Sequence, residues 1–235
     1  MSSYITLARQ SGLMSEMQSI ANNIANMSTT GFRREGVIYS EWVNAGPPGG
    51  ESVSVAAARA RSVDLAQGGL ERTNAPLDFA IEGEGFFLVE TPQGERLTRA
   101  GHFTANQAGE MVTPQGHRVL DAGGAPVFLP PEATISVAAD GTLSADGRPL
   151  TQLGLFRPVD PQSMTREPGQ LFATEGGTEP VIGGRILQGQ LERANVDPVL
   201  EIARMIEVQR AYELGQAFLD RESDRRSKVM DTLTR

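Results

Sequence analysis

The chain has 235 residues, 39% of them hydrophobic, with a net charge of −8, two histidines and no cysteine. Without cysteine there are no disulfides, no thiol catalysis and no Cys-ligated zinc, and the acidic balance leaves no Lys/Arg excess for general nucleic-acid binding. No run approaches the roughly 18 apolar residues of a membrane span, and no basic start precedes an apolar core, so neither a spanning helix nor a secretory leader is expected.

The N-terminal 31 residues carry only two charges, Arg9 and Glu16. Ser2 or Ser3 suits a helix cap, and Leu13, Met17, Ile20, Ile24 and Met27 recur at alternating spacings of four and three, a coiled-coil-like seam. A helix with so few charges is expected to be covered by other protein on most sides. Asn22, Asn23 and Asn26 fall in its last turns, and their amides both donate and accept, so they suit register-setting contacts with neighbouring subunits. Gly31 stands at the expected stop, giving a segment 1–43 of helix plus extension.

Most of the 26 glycines and all but one of the 14 prolines fall between residues 46 and 190, which separates a turn-rich middle from two helical ends. Residues 44–64, with Gly46-Pro-Pro-Gly-Gly50, read as a linker followed by weakly specified structure. Across 65–190, short apolar runs alternate with turns: Phe79–Ile81, Phe86–Val89, Leu97–Arg99, Arg118–Leu120, Val127–Leu129, Ile135–Val137 and Leu153–Phe156. Gly83-Glu-Gly85 reads as a hairpin between the first two runs, and Asp140-Gly141 and Asp146-Gly147 carry hairpin chemistry. The expected class is α+β: terminal helices in a coiled-coil-like domain, and a central all-β antiparallel sandwich or barrel-like domain.

Over residues 191–235 a second long helix is expected. Asn195 precedes Asp197, which is placed to cap it, and Pro198 fits the first helical position, where a missing N–H costs nothing. Met205, Tyr212 and Leu219 recur every seven residues, Ala211 with Phe218 makes a parallel stripe, and Ile202 with Ile206 a third. Apolar groups on so much of the circumference imply more than one neighbour.

No catalytic, metal or cofactor constellation stands out. His102 and His117 lack metal-spaced carboxylates, and no nucleophile elbow or phosphate-binding loop occurs. Glu82, Glu84 and Glu90 supply carboxylates for a glycosidase pair, but acids around a strand and turn are ordinarily solvated. A cell-wall hydrolase or a secreted binding module is therefore the weaker reading.

Several segments together resemble the flagellar rod and hook family. They are Ala21-Asn-Asn-Ile-Ala-Asn26 with Thr30-Gly-Phe-Arg33, Asp78 to Phe87, Thr98-Arg-Ala-Gly101 with Phe103, Gln188 to Glu192 through Asn195-Val, and Glu207 to Glu213. They run in order along nearly the whole chain, and the compact length resembles the proximal rod branch more than the distal rod or hook. Ala194 and Gln190 depart from the usual pattern. The resemblance implies a structural, non-enzymatic subunit without cofactor, whose terminal helices line the axial tube with the β-rich domain outside. It implies a periplasmic rod location and passage through the flagellar export apparatus without a cleaved leader. Implied partners are further copies of the chain and rod proteins of the FlgB, FlgC and FlgG type. The residues it nominates for subunit contacts are those of the two terminal segments, Leu13 to Met27 and Asn195 to Leu219, named above.

Overall fold

The computed structural model describes residues 2–44 and 53–233. The chain packs as two compact units: one takes Met1–Ala25, Glu35–Asp64 and Val196–Arg235, the other Asn26–Arg34 and Leu65–Asn195.

The first unit holds α1 (Ser2–Ala25), β1 (Glu35–Asn44), β2 (Val53–Val63) and α2 (Pro198–Leu233). α2 starts where its cap chemistry places it: Asp197 Oδ1 accepts from the amides of Val199 at 2.9 Å and Leu200 at 3.2 Å, ahead of which Pro198 needs no partner. α1 stops at Ala25, well short of Gly31. There the chain turns, with the Asn26 carbonyl accepting from Thr29 N at 2.9 Å and the Asn26 side chain from the Thr29 hydroxyl at 3.3 Å. Gly31 serves a different need, since at φ +67° a Cβ would lie 2.4 Å from the backbone nitrogen of Ala100.

β1 and β2 form an antiparallel ladder from Glu35↔Val63 to Asn44↔Val53, with a register shift between Ile38 and Tyr39. Residues 53–63, read from the sequence as part of a linker, are therefore a strand. Alanines at 56–58 and 60 are poor strand formers, so the ladder with β1, and not local propensity, specifies it. Gly46 to Gly50 lie outside the described residues. α1 packs against both strands and against α2.

The second unit is antiparallel and β-rich, without a closed barrel. Its seven-stranded sheet has the order Thr165–Glu167, Leu171–Ala173, Gly94–Thr98, Phe87–Thr91, Arg118–Leu120, Met111–Val112, Thr104–Ala105. Ile135–Val137, Thr142–Ala145 and Arg148–Gln152 make a smaller sheet, with Asp146-Gly147 as the two-residue turn of its second hairpin at φ 50° and 76°. The Gly83-Glu-Gly85 segment is not a hairpin: Phe79–Glu82 pairs with Arg185–Gln188, and Phe87–Thr91 pairs with strands further along. The two glycines make a corner, at φ 101° and 115°. Val127–Leu129 forms no strand and holds one isolated bridge, Phe128 with Glu110.

The core of this unit centres on three phenylalanines, with Phe87 and Phe103 edge to face at 5.3 Å and Phe79 6.1 Å from Phe103. Gly101 lets the chain pass beside Phe79, whose carbonyl oxygen would lie 1.7 Å from any Cβ there. Next to this apolar core lies a buried charged node. Glu192, 1% exposed, accepts from Arg33 at 2.7 Å, from Arg99 and from the Gly68 amide at 2.8 Å. Arg99 also donates to the carbonyls of Ile81 at 3.0 Å and Gly83 at 2.7 Å and to that of Gly85, so the glycine corner wraps its guanidinium. Burial pushes the Arg99 pKa below its ordinary value, against the opposing pull of the Glu192 charge and hydrogen bond. Arg166 donates to the Arg33 carbonyl and stacks 4.2 Å from the Phe32 ring centroid.

Candidate functional site

The sequence directs attention to the terminal helices. Within the helical unit, three polar contacts tie α1 to α2: Gln10 Nε2 donates to the Tyr212 carbonyl at 3.0 Å, Arg204 Nε to Glu16 at 3.0 Å, and Asn23 Nδ2 to Glu201 at 3.1 Å. As the α1 number rises the α2 number falls, so the helices are antiparallel. Gly215 makes room for the first of these contacts, since a Cβ there would meet Gln10 Nε2 at 2.2 Å. The covered stripe of α2 is Glu201, Met205, Val208, Tyr212, Gly215 and Leu219, at alternating spacings of four and three.

Asn23 is fully buried. Its amide exchanges both backbone hydrogen bonds of Glu35, donating to the carbonyl and accepting from the N–H, each at 2.9 Å, as a strand partner would. Asn22 donates to the Glu35 carboxylate at 3.3 Å. The start of β1 is thus fastened to the end of α1 and the start of α2. At the other end of this contact, Glu16 accepts from Arg204 and from the Tyr39 hydroxyl at 2.8 Å. The Tyr39 pKa is pushed up to about 12, first by burial and then by the hydrogen bond and charge of Glu16, both of which disfavour a phenolate.

The nominated residues separate into three groups. Ile20 and Asn23 are buried inside the unit, and Leu13, Met17, Asn22, Ile24, Met205, Tyr212 and Leu219 are half-buried. Ile202, Ile206 and Phe218 are exposed on α2, as are Val199, Leu200 and Leu214, which reaches 74%. Asn26, Met27 and Asn195 belong to the β-rich unit. There the Asn195 side chain accepts from Arg34 N at 2.6 Å and donates to the Ala66 carbonyl at 2.8 Å. Sequence reading missed Glu35, Glu201 and the Arg33–Glu192–Arg99 node. Usable signals existed for Glu16, as one of two charges in an otherwise neutral helix, and for the node, whose three members lie in segments that carry the family resemblance.

Of the three acids considered for glycoside chemistry, Glu82 pairs with Arg185 at 3.0 Å and Glu90 with Arg118 at 2.7 Å, both exposed, and Glu84 is exposed as well. His102 Nδ1 lies 2.6 Å from the buried Asp78 carboxylate. Among the described residues, no three His, Asp or Glu side chains gather as a metal site, and no helix is long and apolar enough to cross a membrane.

This architecture, with paired terminal helices and a β-rich middle, is matched along the chain by three family models. Residues 11–33 match the flagella basal body rod protein model, 80–145 the flagellar hook protein FlgE/F/G D1 domain, and 187–232 the flagellar basal body rod FlgEFG protein C-terminal model. The chain belongs to the flagellar rod and hook protein family. Within that family it is FlgF-like: it is 36% identical to flagellar basal-body rod protein FlgF of Mesorhizobium japonicum and 35% identical to that of Caulobacter vibrioides, in each case over 98% of this chain and 96% of the relative. The flagellar basal-body rod protein FlgG of Bacillus subtilis is 28% identical over 89% of this chain and 90% of its own length. The chain is accordingly a structural rod component and not an enzyme.

Proposed function

We propose that this chain is a proximal-rod subunit that self-assembles through its terminal helices, helps to form the export channel and transmits torque along the rod. In this reading segments 1–43 and 191–235 form the inner axial part, residues 44–64 join it to the remainder, and 65–190 form the outer domain. Neighbouring copies and rod proteins of the FlgB, FlgC and FlgG type are its partners, reached in the periplasm after passage through the flagellar export apparatus without a cleaved leader. The observation that carries the reading is the apolar surface left on α2 after α1 has packed: Val199, Leu200 and Leu214 are 76%, 66% and 74% exposed. Each such side chain contributes on the order of 1.5–3 kcal/mol if a neighbour buries it fully. Repeated around a tube, those contacts resist twisting. The seam of Leu13, Met17, Ile20 and Ile24 with the α2 stripe would act as a coiled-coil-like brace inside each subunit. Leu214→Glu tests this, because the side chain makes little contact in the isolated chain. The variant is expected to keep its circular dichroism and thermal unfolding, and to be absent from purified basal bodies in a non-motile strain. Normal incorporation and motility would refute the reading.

A further inference from the structure

The backbone crosses between the two units four times, at 25–26, 34–35, 64–65 and 195–196. Inside the β-rich unit, the segments that lead to three of these crossings are fastened to one another. Gln190–Glu192 pairs antiparallel with Leu70–Arg72, and the ladder continues towards the crossings where Arg193 N donates to the Gly69 carbonyl at 2.8 Å. Gly68 permits that approach, since a Cβ there would lie 2.0 Å from the Arg193 carbonyl oxygen. Residues 31–34 lie against the same pair: Gly31 N donates to the Glu192 carbonyl at 2.7 Å and Asn195 N to the Phe32 carbonyl at 3.3 Å. Past Arg193 the ladder stops, and the Asn195 side chain takes over. Its Oδ1 accepts from Arg34 N at 2.6 Å and its Nδ2 donates to the Ala66 carbonyl at 2.8 Å. One carboxamide thus joins the last residue before the second crossing to the second residue after the third, from the last residue before the fourth.

Resting on the rod-subunit reading above, we infer that Asn195 is the lock of this joint: it holds three crossings in one bundle and stiffens the chain where torque passes between the axial segments and the outer domain. A lone extended strand yields to twist by rotation about φ and ψ, whereas strands tied to one another must turn together. The bond pattern requires a group that donates and accepts at once. An aspartate of the same shape keeps the bond from Arg34 N but sets a second acceptor against the Ala66 carbonyl. Glu192 bridges the same two segments through Arg33 and Gly68, but from within the buried node. Asn195 is half-buried, and the Ala66 carbonyl also accepts from Arg33, so the lock can be opened with the node intact. Asn195 acts through Arg34 and Ala66 and is a positioning residue.

The test uses full-length Asn195→Asp and Asn195→Ala chains. Asn106→Ala is the control: in a turn of the same unit, it removes a similar set of bonds, those of Asn106 with Ala108 N, Glu110 N and the Glu110 carboxylate. In solution, the Arg34 amide should exchange about tenfold faster in Asn195→Ala and keep its protection in Asn195→Asp, with the seven-stranded sheet protected in both. In cells, both Asn195 variants should enter basal bodies at the normal level and swim normally in dilute medium. As viscosity raises the load, their speed should fall several-fold below that of the natural chain and of Asn106→Ala. Unchanged Arg34 exchange in Asn195→Ala would overturn the lock. Exchange accelerated across the whole seven-stranded sheet would make Asn195 an ordinary stability residue and overturn the inference. The same speed at every viscosity in all four strains defeats the torque role while the rod-subunit reading stands. Exclusion of the folded Asn195 variants from basal bodies would make Asn195 an assembly contact and likewise defeat it. Absence of the natural chain itself from basal bodies removes the rod-subunit reading, and the torque role with it.

Discussion

The β-rich unit and the helical unit treat their buried charges alike and differ in where they expose apolar side chains: at separate points such as Phe128, Val159 and Ile182 in the first, and in series along α2 in the second. In the former, Arg33, Arg99 and Glu192 answer one another and nearby carbonyls, and the large aromatic side chains Phe79, Phe87 and Phe103 are enclosed. In the latter, Asn23, Glu35 and Glu201 are equally buried, yet one helix keeps apolar side chains in the open along its length. A chain can thus use inflexible polar nodes to fix each unit internally and reserve loose apolar area for other molecules. The segments by which the chain resembles its family divide along the same line. Thr30 to Arg33, Asp78 to Phe87, Thr98 to Gly101 and Gln188 to Glu192 converge on the node of the β-rich unit, whereas Ala21 to Asn26 supplies the Asn23 clasp.

Four perturbations would break or sharpen this contrast. The largest effect is expected from Glu192→Gln, which leaves two guanidinium groups buried without their shared carboxylate; loss of one partner of a buried pair costs roughly 3–5 kcal/mol. Urea unfolding followed by strand circular dichroism should shift to lower denaturant, and an unchanged midpoint would show that the carbonyls alone hold the arginines. Asn23→Ala should cost about 1–3 kcal/mol, because Glu35 loses its side-chain strand partner and Glu201 a donor. Hydrogen exchange should accelerate in α1 and β1 while the seven-stranded sheet keeps its protection; uniform acceleration would mean that the two units are not separately stabilised. Asp197→Ala removes the α2 cap and should cost about 1 kcal/mol, read as faster exchange confined to Val199 and Leu200 and the turn that follows. The smallest effect belongs to Tyr39. A folded-state pKa raised to about 12 means that the folded chain holds its phenolic proton more tightly than the unfolded one. Its contribution is therefore complete below the ordinary value near 10 and is lost as pH rises from there towards 12. Tyrosinate absorbance should show one late-titrating group that Tyr39→Phe deletes.

What could be read from the sequence was local chemistry. Asp197-Pro198 fixed the start of α2, and Asp146-Gly147 gave its turn, because cap and turn depend on neighbours in the chain. What escaped was set by partners far away. β2 owes its form to β1, and the Gly83-Glu-Gly85 corner to the guanidinium of Arg99. The asparagines were legible as amides that needed partners. Their nearness to Glu35 and Glu201, the latter 178 residues away, was not. The exposed part of the candidate surface, Ile202, Ile206 and Phe218, was visible as surplus periodicity on one helix.

The interleaving of the two units has a consequence for timing. The path leaves the helical unit after Ala25, returns at Glu35, leaves again after Asp64 and comes back at Val196. α1 precedes α2 by the whole β-rich segment, so Glu16 and Asn23 can take up Tyr39 and Glu35 early, whereas Gln10, Glu16 and Asn23 meet Tyr212, Arg204 and Glu201 only after that segment has been made. The β-rich unit closes earlier, once Glu192 arrives.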